Sequence, residues 1–184
     1  MAVEITSMDD DIVFLDETAQ GSHAADQAVA QAVWRVMIVD DDPDVHTATT
    51  FALCNLEMQR RPLQFIHAYS AAHARQLLDQ EKDVAVILLD VVMEQDDAGL
   101  QLVRYIREVL KLAEVRIILR TGQPGYAPEL EAIRDYDIND YKTKSELTRI
   151  KLYTAVTAAI RSYEQIGAIN ANRRGLDFIV RGST

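Results

Sequence analysis

A run of six apolar residues at positions 84–89, Val-Ala-Val-Ile-Leu-Leu, constrains the fold more than any other feature of this sequence. The run has no polar alternation, so a strand built from it must be buried on both faces. Similar short apolar runs alternate along the chain with longer amphipathic segments, which is typical of repeated strand and helix units. The sequence therefore predicts an α/β fold with a doubly wound, mostly parallel sheet.

This alternation predicts five strands and five helices. The strands cover residues 35–39, 63–68, 84–89, 115–119 and 138–141, which are rich in β-branched and aromatic side chains. The helices cover residues 44–58, 71–80, 98–111 and 128–136, and a last helix begins at residue 147. At 184 residues, the chain is long enough for one such domain with extensions.

The two ends of the chain are expected to extend beyond this domain. Residues 1–30 carry seven acids and no Lys or Arg, which predicts an acidic, flexible leader over residues 1–33. The last helix carries an apolar repeat at Ile150, Tyr153, Val156, Ile160, Tyr163, Ile166 and Ile169. We therefore predict a domain over residues 34–163 and a helical connector over residues 164–184 that could pair with a second copy of the chain.

Net charge and hydropathy exclude two classes of partner. A net charge of -10 argues against nucleic acid, because binding phosphates requires clustered Lys and Arg. The sequence has no signal peptide and no apolar stretch of roughly 18 residues, so no membrane association is expected. We expect a cytoplasmic protein.

Three aspartates directly follow two of the predicted strands. Asp40 and Asp41 come after the first strand, and Asp90 comes after the third. Ligand sites in open α/β sheets lie beyond the carboxyl ends of the strands, so these side chains converge on one pocket if the two strands are neighbours. Acidic residues after a strand are more often solvated or cap a helix, and that interpretation suits Asp42, which precedes Pro43. Capping leaves the other three unexplained.

Carboxylates gathered in this way require a cation. Two of them about 4 Å apart repel by about 4 kcal/mol at an effective dielectric constant of about 20. Oxygen ligands without nearby His or Cys favour Mg²⁺, with Mn²⁺ as the alternative metal. A divalent ion there would neutralise a carboxylate nucleophile and a phosphoryl donor together. One function of such a site is therefore the formation of an aspartyl phosphate.

Two further residues suit phosphoryl chemistry. Thr121 follows the fourth strand and precedes Gly122, which is small enough to let a phosphoryl group approach. Lys144 follows the fifth strand, where its ammonium group could pair with Asp90 and with phosphoryl oxygens. Each residue alone is more often an ordinary strand-end threonine or a surface lysine. The joint order of acids, threonine and lysine after successive strands favours the functional interpretation.

With these motifs, the chain resembles the receiver family of bacterial response regulators. The motifs are Val-Asp-Asp-Asp-Pro, Leu-Leu-Asp-Val-Val-Met, Leu-Arg-Thr-Gly and Asp-Tyr-Lys-Thr-Lys, and the resemblance covers roughly residues 34–163. It implies a flavodoxin-like (CheY-like) fold with five parallel strands in the order 2-1-3-4-5 and an extended C-terminal helix.

The resemblance also implies roles for individual residues. Asp90 would be the phosphoacceptor. The metal would be held by Asp40, Asp41, Asp90 and the backbone carbonyl of Val92, the phosphoryl group would be bound by Thr121, Gly122 and Lys144, and the switch would consist of Thr121 and Tyr141. In this family the phosphoryl donor is a sensor histidine kinase or a phosphotransfer protein. The chain would then catalyse only its own phosphorylation and dephosphorylation.

A narrower resemblance rests on Arg-Thr-Gly-Gln-Pro-Gly, Tyr-Asp-Ile-Asn-Asp-Tyr-Lys and Ala-Asn-Arg-Arg-Gly-Leu. These runs are similar to receivers at the start of multidomain regulators with an HD-GYP-type cyclic-di-GMP phosphodiesterase output. The sequence contains no His-Asp pair and no Gly-Tyr-Pro. We therefore expect any phosphodiesterase activity to reside in a downstream domain that this sequence lacks.

Two other functions fit parts of the pattern. A pseudo-receiver would keep the fold as an interaction module without control by phosphate, and the intact acidic set weighs against it. A metal-dependent phosphatase with an aspartate nucleophile usually has a second aspartate two residues later, where this chain has Val92.

One departure from the receiver pattern concerns the turn after Lys144, because Ser145 stands where the family usually has proline.

Overall fold

The apolar run forms the centre of the sheet in the computed structural model of the protein. Its strand, β4 (Val84–Asp90), is buried at every position, as the absence of alternation predicts. The structure describes residues 33–81, 83–122, 138–143 and 148–181. Most of the predicted leader, the predicted helix at residues 128–136 and Lys144 lie outside these ranges.

The described strands form one six-stranded sheet. They are β1 (Trp34–Val39), β2 (Glu57–Met58), β3 (Arg61–Ala68), β4, β5 (Arg116–Thr121) and β6 (Asp140–Thr143). Their order is β2-β3-β1-β4-β5-β6, and every neighbouring pair is parallel except β2 with β3. The five parallel strands confirm the predicted order 2-1-3-4-5. The two-residue strand β2 was not predicted.

Helices cover both faces of this sheet. They are α1 (Pro43–Leu53), α2 (Ala71–Gln80), α3 (Ala98–Arg104) with a π-helical segment after it (Tyr105–Val109), and α4 (Arg149–Arg181). No helix in the described ranges combines the length and the apolarity needed to cross a lipid bilayer.

The first helix is shorter than predicted. It ends at Leu53 because Asn55 adopts a left-handed backbone conformation, with φ 61°, and the chain turns into β2. Met58, which the sequence placed in the helix, is buried in β2 instead. The indole nitrogen of Trp34 donates a hydrogen bond of 2.8 Å to the Met58 carbonyl oxygen, which ties this turn to β1.

The core consists of two apolar layers on opposite faces of the sheet. Alternate residues of each strand enter one layer or the other, since successive side chains point to opposite faces. In β4, Leu89 packs in the layer beneath α2 and α3, and Leu88 packs in the layer beneath α1 and α4. The same alternation along β1 and β5 determines the face of the sheet on which the side chain of each strand-end residue lies.

The last helix stays in contact with the domain past residue 163. Its buried residues are Leu152, Val156, Ala159 and Ile160, whereas Ile150, Tyr153 and Ile169 of the predicted apolar repeat are exposed. Tyr163 meets Trp34 edge to face, with ring centroids 6.4 Å apart. The side-chain nitrogen of Asn170 donates a hydrogen bond of 2.8 Å to Glu114. The helix therefore contacts the domain for about two turns past residue 163.

Candidate functional site

The predicted aspartates meet at the carboxyl edge of β1 and β4. These strands are neighbours with Val39 opposite Leu89, so the chain leaves both at the same level and places Asp40 beside Asp90. One carboxylate oxygen from each of Asp40, Asp41 and Asp90 lies within 4.8 Å of the other two. Asp40 and Asp90 are buried, and Asp41 is exposed. The structure therefore brings the three predicted metal ligands together.

The loop after β1 is shaped by two of its own aspartates. The carboxylate of Asp42 accepts a hydrogen bond of 2.9 Å from the backbone nitrogen of Asp44, which caps α1 at Pro43. This confirms the predicted capping role of Asp42. Oδ1 of Asp40 in turn accepts a hydrogen bond of 3.1 Å from the backbone nitrogen of Asp42. The start of α1 therefore helps to orient the Asp40 carboxylate.

The loop after β4 is held by a close backbone contact. The backbone nitrogen of Gly99, at the start of α3, donates a hydrogen bond of 3.1 Å to the carbonyl oxygen of Val91. A Cβ atom on Gly99 would lie only 2.8 Å from the Cα atom of Val91, closer than real side chains approach. Glycine is required here because α3 packs directly against the backbone that follows Asp90.

The remaining predicted residues lie on or after the next two strands. Thr121 is fully buried as the last residue of β5, and Gly122 follows it. Asp90 is opposite Arg120 in the ladder between β4 and β5, so Thr121 lies at the same edge of the sheet as Asp90. Tyr141 lies in β6 with its backbone opposite Leu119. The switch and phosphoryl-binding roles of these residues, and the metal-binding role of the Val92 carbonyl, remain predictions.

Arg120 is a residue of this site that the sequence analysis missed. Its guanidinium Nη2 lies 3.1 Å from Oδ2 of Asp40, and the two side chains are only 4% and 0% exposed. Its Nη1 donates a hydrogen bond of 2.8 Å to the hydroxyl of Thr49 in α1. The three carboxylates therefore already have one cation from the protein. The sequence did contain a signal, because Arg120 is two residues after Ile118 and Asp40 is two after Ile38, on the same face of the sheet.

His46 is the second residue to which the sequence assigned no role. It is buried, and its Nε2 lies 2.8 Å from the carbonyl oxygen of Asp40. Because a carbonyl oxygen only accepts, Nε2 carries the hydrogen, and Nδ1 of His46 shares a hydrogen bond of 2.9 Å with Nδ1 of His67. Burial and the neighbouring His46 lower the pKa of His67 from its ordinary value. The ring of His46 thus connects β3 to the backbone of the acidic site.

The donor set suits a hard divalent cation. Within the described part of the chain, the three aspartates are the one group of three or more potential ligands close enough to share an ion. Carboxylate oxygens are the ligands that Mg²⁺ and Mn²⁺ prefer. One guanidinium and three carboxylates leave an excess of negative charge, which a divalent cation would reduce. The residues present therefore fit the predicted metal.

Comparison with known families identifies the domain that carries this site. Residues 36–157 match the family model described as the response regulator receiver domain. The chain belongs to the receiver family. Residues 156–184 match a second model, described as a domain of unknown function (DUF3369). The receiver match therefore ends within α4, and the second match continues along the same helix.

A curated relative supports the narrower resemblance. The receiver is 44% identical over 154 residues to the 3'3'-cGAMP-specific phosphodiesterase 2 of Vibrio cholerae serotype O1, a match that covers 84% of this chain and 30% of the relative. The chain thus spans less than a third of the length of this relative. The prediction that this chain resembles the receiver of a multidomain cyclic-dinucleotide regulator is confirmed as a resemblance of sequence.

Solved structures confirm the predicted fold. The signal receiver domain of an HD domain-containing protein from Pseudomonas fluorescens Pf-5 has a TM-score of 0.58 and 22% identity, with 73% of this chain and 99% of that chain covered. The N-terminal domain of a response regulator/sensory box/GGDEF 3-domain protein from Carboxydothermus hydrogenoformans has a TM-score of 0.57 and 22% identity, with 71% and 97% covered. At these identities the likeness concerns the fold alone.

Proposed function

We propose that this receiver takes a phosphoryl group on Asp90 from a sensor histidine kinase or a phosphotransfer protein. The observation that carries the proposal is the convergence of Asp40, Asp41 and Asp90 within 4.8 Å, with Asp90 buried at the end of the central strand. In the transfer, a carboxylate oxygen of Asp90 bonds to phosphorus while the bond from phosphorus to the donor's histidine nitrogen breaks. The electron pair of the broken bond stays on that nitrogen.

Each residue of the site has a part in this transfer. Asp40, Asp41, Asp90 and the carbonyl of Val92 would hold Mg²⁺ or Mn²⁺, which when bound neutralises the negative charge of nucleophile and donor. Gly99 and Val91 keep the Asp90 backbone in place through the contact between α3 and the loop after β4. Lys144 and the backbone around Gly122 would bind the phosphoryl oxygens.

Phosphorylation would be sensed by Thr121 and transmitted through β6 and α4. Thr121 would donate its hydroxyl to the phosphoryl group, and Tyr141 in β6 would reorient in response. The receiver would cover residues 34–163, between an acidic leader at 1–33 and a connector at 164–184. Any phosphodiesterase activity on a cyclic dinucleotide, such as the relative's name describes, would belong to a downstream domain of a longer cytoplasmic protein.

The direct test is phosphorylation by a small-molecule donor. Wild-type protein is incubated with Mg²⁺ and acetyl phosphate or phosphoramidate, and its intact mass is compared with that of Asp90→Asn. We expect one added phosphoryl group on the wild type and none on the variant. Asp96→Asn is the matched control, since Asp96 is an exposed aspartate in the same loop, and it should be phosphorylated like the wild type. Unmodified wild type, or a modified Asp90→Asn, would contradict the proposal.

The alternative is a pseudo-receiver that acts as an interaction module without phosphorylation. The buried ion pair between Arg120 and Asp40 is the observation that favours it, because a protein cation already serves one of the metal ligands. The two functions differ in a single outcome. A pseudo-receiver would fold normally but gain no mass with either phosphoryl donor.

A further inference from the structure

The carboxylate of Asp40 has protein partners on both of its oxygens. Oδ2 pairs with the guanidinium of Arg120 at 3.1 Å, and Oδ1 accepts the backbone hydrogen bond from Asp42 at 3.1 Å. The hydroxyl of Thr49 holds the other end of the guanidinium at 2.8 Å. Asp40 and Arg120 are both shielded from solvent, so neither charge is screened by water. This arrangement orders Asp40 without any ion.

We propose that Arg120 is a positioning residue that acts as a built-in cation and sets the affinity of the acidic site for Mg²⁺. This inference rests on the proposed function, since it concerns the same metal site. The guanidinium competes with the metal for the negative charge of Asp40. Its positive charge also repels a metal ion bound among the three aspartates. Arg120 therefore stabilises the metal-free site and weakens metal binding.

The backbone of Arg120 links this effect to the phosphoacceptor. Its carbonyl oxygen accepts a hydrogen bond of 3.0 Å from the backbone nitrogen of Val91, which directly follows Asp90. Its neighbour in β5 is Thr121, the predicted switch residue. A change in the pairing of Arg120 would thus act on the loop after Asp90 and on Thr121 through one strand end. Through Thr49, the same side chain connects the metal site to α1.

The test measures Mg²⁺ affinity directly, by isothermal titration calorimetry of the whole chain with MgCl₂. Arg120→Met keeps most of the buried volume and removes the charge. We expect its dissociation constant for Mg²⁺ to be at least about tenfold lower than that of the wild type, because charge–charge interactions are strong in a buried site. Its melting temperature without metal should fall, since Asp40 is left as a buried charge without its cation. Arg120→Lys restores the charge and should keep the dissociation constant within about threefold of the wild-type value.

The matched control is Arg116→Met. Arg116 lies in the same strand, is also buried, and its guanidinium donates to the carbonyl oxygens of Ala113 and Glu114 at the opposite end of β5. This variant should lose thermal stability without a change in Mg²⁺ affinity. Destabilisation alone therefore cannot produce the expected result for Arg120→Met.

Three outcomes would overturn the inference. An Arg120→Met variant with wild-type or weaker Mg²⁺ affinity would do so while leaving the proposed function intact. If Arg120→Met does not fold, Thr49→Val is the second test of the inference. This variant releases the guanidinium of Arg120 and should tighten Mg²⁺ binding severalfold. Unchanged Mg²⁺ affinity of Thr49→Val would contradict the inference. Absence of Mg²⁺ binding by the wild type and every variant would overturn the metal site of the proposed function as well.

Discussion

At the scale of single residues, Gly99 controls how closely α3 approaches the phosphoacceptor strand. Its Cα atom faces the backbone of Asp90 and Val91 with no room for a methyl group. A backbone cannot move aside as the tip of a flexible side chain can. The position of Asp90 therefore depends on the absence of a side chain nine residues later in the chain.

We expect Gly99→Ala to destabilise the domain by about 1 to 3 kcal/mol, because the added methyl group forces α3 away from the strand end. Chemical denaturation monitored by circular dichroism gives the free energy of unfolding. Gly167→Ala in α4 is the matched control, since its Cβ would meet only a carboxylate oxygen of Glu114 at an ordinary 3.8 Å. That change should be neutral or stabilise the protein by up to about 1 kcal/mol. Equal effects of the two substitutions would contradict the close-contact explanation.

A second prediction at this scale concerns pH and His67. Its pKa in the folded protein is lowered from 6.5 by burial and by His46. As the pH falls, His67 in the unfolded chain binds a proton before His67 in the folded protein does. The stability that neutral His67 contributes is therefore complete above pH 6.5, and it is lost as the pH falls through the pKa of the folded protein. The melting temperature of the wild type should therefore fall more steeply than that of His67→Gln between about pH 7.5 and about pH 5.5. Parallel pH profiles for the two proteins would rule this out.

At the scale of elements, α4 has two kinds of contact with the domain. Its first turns bury Leu152, Val156 and Ile160 in the apolar layer shared with α1. Farther along, Tyr163 packs edge to face against Trp34, and Asn170 donates a hydrogen bond to Glu114. Apolar burial therefore holds the start of the helix, and single side-chain contacts hold its continuation. Such a helix is expected to be more easily displaced at its distal half.

Asn170→Ala should loosen this distal half of α4 without unfolding the domain. We expect faster amide hydrogen exchange in peptides from about residue 163 onward and unchanged exchange in β4, since the apolar layer remains intact. Asn172→Ala is the matched control, because Asn172 is an exposed asparagine on the same helix. Mass spectrometry after deuterium labelling distinguishes the two variants. The same exchange in both would show that the Glu114 contact does not restrain the helix.

At the scale of the whole molecule, α4 is the element shared by the two family matches. The receiver match ends at residue 157, and the second match begins at residue 156, so both include the same turn of one continuous helix. A rigid helix can carry a rotation or a shift over its entire length. Ile169 is exposed on this helix, and we predict that the helix pairs there with a second copy of the chain.

We therefore expect self-association through α4 to depend on the state of Asp90. Beryllofluoride with Mg²⁺ mimics the phosphorylated aspartate, and size-exclusion chromatography with light scattering measures the molar mass with and without it. The mass should change between the two conditions for the wild type and stay constant for Asp90→Asn. A constant wild-type mass, with unchanged hydrogen exchange in α4, would exclude this route of signalling.

The sequence by itself determined the parallel sheet and the position of three aspartates at strand ends, and the resemblance to the receiver family supplied the strand order. Burial of β4 follows from an uninterrupted apolar run, and strand ends in a parallel sheet place Asp40 and Asp90 at one edge. Capping of α1 by Asp42 could also be predicted from the sequence, since it depends only on neighbouring residues. These features are local, or they follow from topology alone.

Only the tertiary structure decided the partners of these residues. The pairing of Arg120 with Asp40 joins positions 80 residues apart, and the bond from Asn170 to Glu114 joins positions 56 residues apart. The face on which Arg120 lies follows from strand alternation, but its distance to Asp40 and its bond to Thr49 depend on how β1, β5 and α1 pack. The length of α1 and the exposure of Ile150 were also set by packing. Burial and long-range contact are properties of the folded chain, and a pattern of residue types specifies them only in part.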